Sequence, residues 1–386
     1  MRGLFESLDK WRGAEWRQRD AMKQLSRAYE CRCGTRIFFA NTQCLSCGSP
    51  LGYLPQAAAL AALDPGAEPG TVTVAGYDGI HRPCGNRETP AQCNWLVPAD
   101  DHDPLCIACR LNHTIPNLYD ADNARYWAAI EAAKRRLVAQ LLALGLPIRS
   151  RVNEDPERGL MFRFLRRQPG EPAVTTGHAD GVITIDIEEA DAARREQLKQ
   201  DLHEPYRTLL GHFRHEVGHY YWDRLVRDSK WLAPFRELFG DERADYAEAL
   251  KRNYEQGPPA GWTDSFISSY ATTHPWEDWA ETWAQYLHMA DSLGTAIGFG
   301  LDAADLESRI SPFTRDDLYA AHDPGAARFL SLLNSWIEMI MVLNELARSM
   351  GQPDFYPFVM SRPVVAKLQL IYMIVADVQA ESVAAA

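Results

Sequence analysis

The stretch Leu209-Leu210-Gly211-His212-Phe213-Arg214-His215-Glu216-Val217-Gly218-His219-Tyr220-Tyr221-Trp222-Asp223-Arg224 decides how the chain is read. Inside it, His215 and His219 stand four residues apart, one turn above each other on one helical face. That spacing lets two imidazoles reach one metal ion, and Glu216 points near enough to work on a water held there. Leu209, Leu210, Phe213, Val217, Tyr220, Tyr221 and Leu225 supply the apolar positions of a helix, and Pro205 suits its first turn. Histidines that merely cap or pack are the competing explanation. The pattern H-E-x-x-H at helical spacing favours a zinc hydrolase.

Length and composition leave room for this chemistry. A chain of 386 residues holds two or three domains, and 46% hydrophobic with 24% charged residues is the make-up of a globular protein. The net charge of -12 disfavours non-specific adhesion to nucleic acid or anionic membranes. No run of about 18 apolar residues appears; the closest, Trp336 to Leu343, is broken by Glu338. Met1 to Ser7 lacks the apolar stretch of a secretory signal, so residence in the cytoplasm, without a membrane partner, is the expectation.

All eight cysteines fall between residues 31 and 109, which in such a setting favours metal ligation over disulfides. Cys31, Cys33, Cys44 and Cys47 form one group, and Cys84, Cys93, Cys106 and Cys109 a second. Both end in the C-x-x-C turn that aims two thiolates at one ion. A site closed by four thiolates keeps no open position, so two structural zinc ions are expected here, apart from one catalytic zinc. His81, His102 and His113 read as loop histidines. Phe38 and Phe39 fit a short hairpin, Pro55 to Gly70 reads as a connector, and Thr71 to Val74 as a strand. Residues 1–28 read as a helical extension, 29–118 as tandem zinc ribbons, and 119–386 as a catalytic domain that should fold alone.

Past that boundary, Asp120 to Leu144 has a helical pattern, and two strand-like stretches follow, Leu160 to Arg166 and Val182 to Ile187. Ile183, Ile185 and Ile187 share one face, while Gly177 to Gly181, with His178, reads as a turn. Catalytic zinc usually takes three protein ligands. The third is expected from Tyr270-Ala271-Thr272-Thr273-His274-Pro275-Trp276-Glu277-Asp278-Trp279-Ala280-Glu281. Pro275 suits a helix start, and Glu277 and Glu281 then share a face. One carboxylate can bind zinc while the other holds a ligand imidazole through its free N–H, and Asp278 stays open as a ligand as well. Phe329 to Met350 is too apolar for an exposed helix, so it should be central to the lower subdomain or bury against a partner.

H-E-x-x-H followed by E-x-x-x-[DE] on a later helix resembles the gluzincins, thermolysin and lethal-factor-type proteases among them. The resemblance implies Glu277 as the zinc ligand, Glu281 as its hydrogen-bonding neighbour and Tyr270 at the reaction centre. The order helix, strands, metal-binding helix is that of the upper half of a zincin, whose edge strand binds the substrate backbone by strand addition; Val182 to Ile187 is the candidate. More closely, Cys31 to about Val375 is similar to bacterial zinc-binding metallopeptidases with an amino-terminal zinc-ribbon region. The segments that carry this are Cys93 to Pro98, Glu204 to Glu216 and His274 to Glu281.

The expected fold is therefore α+β: small β-rich tandem zinc ribbons, then a mainly helical zincin-like metallopeptidase domain. The expected reaction is zinc-dependent hydrolysis of a peptide or protein substrate, with Glu216 as general base. The alternative is a zinc-ribbon adaptor that binds a protein, with an idle protease-like domain. Docking of a protein partner by the ribbons fits either reading. Nucleic acid is disfavoured, because residues 1–120 hold 12 Lys and Arg against 13 Asp and Glu.

Overall fold

Strands β1 (Tyr29–Glu30) and β2 (Arg36–Ile37) form a short hairpin whose turn carries Cys31 and Cys33. An antiparallel meander follows, with β3 (Leu51–Leu54), β4 (Ala59–Pro65), β5 (Val72–Val74), β6 (Tyr77–Pro83) and β7 (Leu96–Pro98) adjacent in chain order. β5 lies where the sequence predicts a strand. β4, however, runs through the supposed connector Pro55 to Gly70. Alanine is a weak strand former, but pairing with β3, from Leu51 opposite Ala62 to Leu54 opposite Ala59, overrides that preference and buries Leu60, Ala62 and Leu63. Leu54, Leu63, Val74 and Leu96 pack as one buried apolar cluster of this sheet, and Tyr53 and Trp95 are buried beside one another. Asn94 donates to the carbonyls of Phe39 and Asn41 at 2.7 and 3.0 Å, which ties the two cysteine-bearing segments together.

In this computed structural model the described residues are 25–167, 170, 174–201, 206–301 and 313–385; the expectations for residues 1–24 and for Pro205 lie outside them. The chain divides into two compact units, one of residues 27–224 and one that contains residues 225–386. The first unit continues past the meander with β8 (Asn112–Thr114), α1 (Ala121–Ala143), β9 (Met161–Leu165), β10 (Gly177–Ala179), β11 (Val182–Asp186), α2 (Ala192–Asp201) and α3 (Leu209–Leu225). Asp120 caps α1 by accepting from the N–H groups of Asp122 and Asn123. The sheet order is β10-β11-β9-β8, with β8 and β11 parallel to β9 and β10 antiparallel to β11. Ile183, Ile185 and Ile187 are buried, as their alternation predicts.

β11 is not an edge strand, contrary to expectation. Asp180 and Gly181 both have positive φ, +47° and +78°, the conformation of a two-residue hairpin turn. They fold Gly177–Ala179 back against β11, so β10 holds the edge. A side chain at Gly181 would collide with the Gly159 carbonyl oxygen, so only glycine fits there.

The boundary expected near residue 118 is crossed by both sheet and core. β8 precedes it yet pairs with β9. Lys134 and Glu131 of α1, neither exposed, form a 2.7 Å ion pair, and Asn112 bonds to both. The ammonium also lies 5.7 and 5.5 Å from the rings of Phe162 and Phe164. Arg135 donates to the Ala91 carbonyl at 2.9 Å, and Ser150 to that of Arg110 at 2.7 Å.

The second unit is helical among its described residues: α4 (Leu232–Phe239), α5 (Tyr246–Gln256), α6 (Pro275–Gly298), α7 (Ala326–Ser349) and α8 (Arg362–Ala385). Pro275 opens α6, and His274 caps it by accepting from the Trp276 N–H. α6 packs against α4, α7 and α8 with Trp279 and Trp283 wholly buried. α7 buries Phe329, Leu332, Leu333 and Trp336 but leaves Met341, Val342 and Leu346 exposed. By length and composition, α7 and residues Arg362–Glu381 of α8 are apolar enough to cross a membrane, although neither is an unbroken apolar run. Within the protein 33% and 50% of the two stretches are buried. The order of ribbons, small sheet and long helices is the α+β class expected.

A chain starting at residue 119 loses β8 and the Asn112 partner of two buried charges. Leaving a buried charged group short of a hydrogen-bond partner typically costs about 1–3 kcal/mol, and here two such groups lose Asn112 along with a paired strand. The fragment 119–386 should therefore be insoluble or lack fixed side-chain packing. A soluble fragment with a dispersed amide NMR spectrum would contradict this.

Candidate functional site

The cysteines form two groups as predicted. In each, the four Sγ atoms lie within 4.8 Å of one another, and the pairs Cys31–Cys47, Cys33–Cys44 and Cys93–Cys106 are 3.7 Å apart. All eight are free thiols. A tetrahedral zinc site with arms of about 2.3 Å has edges of about 3.8 Å, so the spacing fits an ion and not a disulfide. Cys33 and Cys47 of the first group are exposed, whereas every cysteine of the second is buried. Cys109 Sγ lies 3.8 Å from Glu131 Oε2, which places the second group on the core of the unit.

Helix α3 is anchored on its far faces. Phe213 packs edge-on against Phe162 and Phe164 at 5.5 and 6.3 Å, and the Arg214 guanidinium donates twice to Gln140 Oε1 of α1, at 3.0 and 2.8 Å. With those contacts set, His215 and His219 converge: their Nε2 atoms are 3.2 Å apart and only 9% and 4% of the residues is exposed. Zinc with Zn–N arms of about 2.0–2.1 Å would hold two nitrogens about 3.3 Å apart in a tetrahedron, so the donor pair fits that ion. Glu216 is buried, and its Oε1 faces His212 Nε2 at 3.4 Å. Burial pushes its carboxyl up, but the contact with His212 and the neighbouring imidazoles outweigh it, leaving the carboxyl below its ordinary value. His178, which reads from sequence as a turn residue, sits in β10 with its ring stacked on that of His219, 6.2 Å between centroids and 17° between planes.

The predicted acidic residues of the second unit gather where α6 begins. Glu277 is buried, and its Oε1 accepts the Tyr246 hydroxyl at 2.6 Å. Tyr270 is close by: burial, and then the charge of Glu277, raise its phenol well above the ordinary range, so it stays protonated and can donate. Glu281 accepts from Ser268 Oγ at 2.6 Å. Asp278 is committed elsewhere, 2.6 Å from Lys367; burial pushes its carboxyl up to about 7 against the pull of that ammonium. His288, further along α6, is only 8% exposed.

Three residues of these clusters do not stand out in the sequence: Glu189, which pairs with His212, Tyr246, which holds Glu277, and His212 itself, which looks like a surplus imidazole. His212 stands four residues before Glu216, a helical spacing that could have flagged it. Tyr246 is 31 residues from Glu277 and no local pattern marks it.

Comparison with known proteins gives two matched regions that meet near residue 120, the boundary read from the sequence. A family model described as "Putative zinc-binding metallo-peptidase" matches residues 123–374, and a zinc-ribbon domain model matches residues 28–120. Relatives from Mycobacterium bovis and Mycobacterium tuberculosis, named only as uncharacterized proteins, are 45% identical over 355 residues, covering 91% of this chain and 96% of their own length. No solved structure matches significantly. With the matched regions spanning both cysteine groups, the H-E-x-x-H helix and the acidic helix start, the chain belongs to the zinc-binding metallo-peptidase family that carries an amino-terminal zinc ribbon.

Proposed function

We propose that the chain hydrolyses peptide bonds in a peptide or protein substrate, with His215, His219 and Glu277 as the three ligands of one catalytic zinc ion. The observation that carries this is the pair of imidazole nitrogens 3.2 Å apart with Glu216 on the same helix. When bound, zinc acidifies a water towards about pH 7 and polarises the scissile carbonyl. Glu216 takes the proton of the attacking water and passes it to the leaving amine, a role worth roughly 10²–10⁴-fold. Tyr270, kept as a phenol, donates to the oxyanion that develops on the carbonyl oxygen. Tyr246 orients the Glu277 carboxylate, and Glu281 supports a ligand imidazole.

Strand addition of the substrate is assigned to β10, the edge strand, in place of β11. The closeness of the His178 and His219 rings supports that assignment, because it sets β10 beside the ligand helix. A second proposal concerns the ribbons. Phe38 and Leu45 of the first ribbon are 57% and 94% exposed, which suits the docking of a protein partner. The two four-cysteine groups would then hold structural zinc only.

Glu216→Gln should keep the fold and the zinc content yet lose roughly a hundredfold or more in turnover of any peptide library the wild type cleaves. Equal cleavage by the two proteins would defeat the mechanism. Glu277→Ala should abolish zinc at this site while leaving the ions of the cysteine groups, as read by elemental analysis after mild dialysis. Glu281→Ala and Tyr246→Phe should only weaken zinc affinity, by roughly 10–100-fold. Retention of zinc by Glu277→Ala, together with its loss in Glu281→Ala, would exchange the two roles.

A further inference from the structure

Glu216 does not stand alone in the helix. One turn before it, His212 turns Nε2 to Glu216 Oε1 at 3.4 Å and Nδ1 to Glu189 Oε2 at 2.5 Å. Glu189 lies in the short turn after β11, is 5% exposed, and is fastened twice more. Its Oε1 accepts from Thr176 Oγ1 at 2.6 Å, and its Oε2 is 3.8 Å from the Arg207 guanidinium. The arrangement is a buried chain of three groups, carboxylate, imidazole, carboxylate, with one end fixed to the sheet and the other at the general base.

We infer that His212 is a positioning residue for Glu216: held at Nδ1 by Glu189, it donates from Nε2 to one oxygen of the general base and leaves the other to face the water. This rests on the peptidase reading and adds to it a residue that binds neither zinc nor substrate. Chemistry supports the geometry. A carboxylate offers only acceptors, so contact with one at each nitrogen requires protons on both. Burial alone would pull the imidazolium down, but Glu189 first and Glu216 second outweigh it and push His212 up to about 9. In the same way burial would raise Glu189, and His212, Thr176 and Arg207 bring it down to about 2. A buried carboxylate with several rotamers would take its proton from poorly aligned waters; one held by a fixed imidazolium has a single direction open.

The test uses the full chain in two measurements. In protein labelled with 15N at histidine, long-range proton–nitrogen spectra at neutral pH should show one ring with protons on both nitrogens, absent from His212→Gln. Glu189→Gln should remove its far-downfield Nδ1 proton, and Glu216→Gln should shift its Nε2 resonance. A His212 ring indifferent to Glu216→Gln would overturn the proposal. With the peptide library as probe, His212→Leu should lose about tenfold or more in kcat with KM and zinc content unchanged. His212→Gln, which keeps an N–H donor, should recover most of that loss. Wild-type kcat in His212→Leu, loss of zinc from it, or no rescue by glutamine would each overturn the role. Absence of cleavage by the wild type would defeat the peptidase reading alone, and the ring spectra then decide the contact by themselves.

Discussion

Lone-pair donors packed closely inside a protein repel one another unless a cation sits among them. The chain meets that constraint in the cysteine groups, where four Sγ atoms gather within 4.8 Å, and again on α3, where two Nε2 atoms approach to 3.2 Å. Such crowding costs folding free energy without an ion and supplies it with one; structural zinc contributes on the order of 10–16 kcal/mol in small ribbons. The first cysteine group is carried by a hairpin of two-residue strands, β1 and β2, which is too short to hold its turn by backbone pairing alone. Metal ligation is then part of the fold, and the fold carries the rest of the first unit with it.

The second cysteine group extends that dependence into the region that matches the metallo-peptidase family. Cys109 approaches Glu131, Glu131 pairs with Lys134, and Lys134 rests over the phenylalanine rings of β9 that also receive Phe213 of α3. A path of direct contacts thus runs from the ribbon thiols to the helix that presents His215, Glu216 and His219. The ribbon is a wall of the first unit. A tethered accessory would not share its core.

Much of this is legible in the residues because the signals are local. H-E-x-x-H and C-x-x-C place ligands by helical and turn geometry within a few residues, and the alternation of Ile183, Ile185 and Ile187 reports one buried face. What escapes depends on partners far along the chain. β4 is a strand because β3 pairs with it, not because Ala59 to Pro65 favours extension. β10 is three residues long, below what periodicity can register, although Asp180-Gly181 is itself a hairpin signal. The boundary near residue 118 is legible as a linker by composition and is where the two matched family regions meet; that β8 and Asn112 are committed across it is not legible. His212 is easily discounted on a helical face that already has imidazoles enough; only its contact with Glu189, 23 residues earlier, reveals its use.

Zinc-dependent hydrolysis needs a third metal position distinct from the two ribbons, whose four-thiolate sites leave no place for water. Anomalous scattering at the zinc edge, from crystals grown without chelators and soaked briefly in zinc, tests it most directly. Three peaks per chain are predicted: one inside each cysteine group, and one within about 2.2 Å of a nitrogen of His215, a nitrogen of His219 and an oxygen of Glu277. Two peaks at the cysteines and none at the paired histidines of zinc-soaked crystals would contradict it.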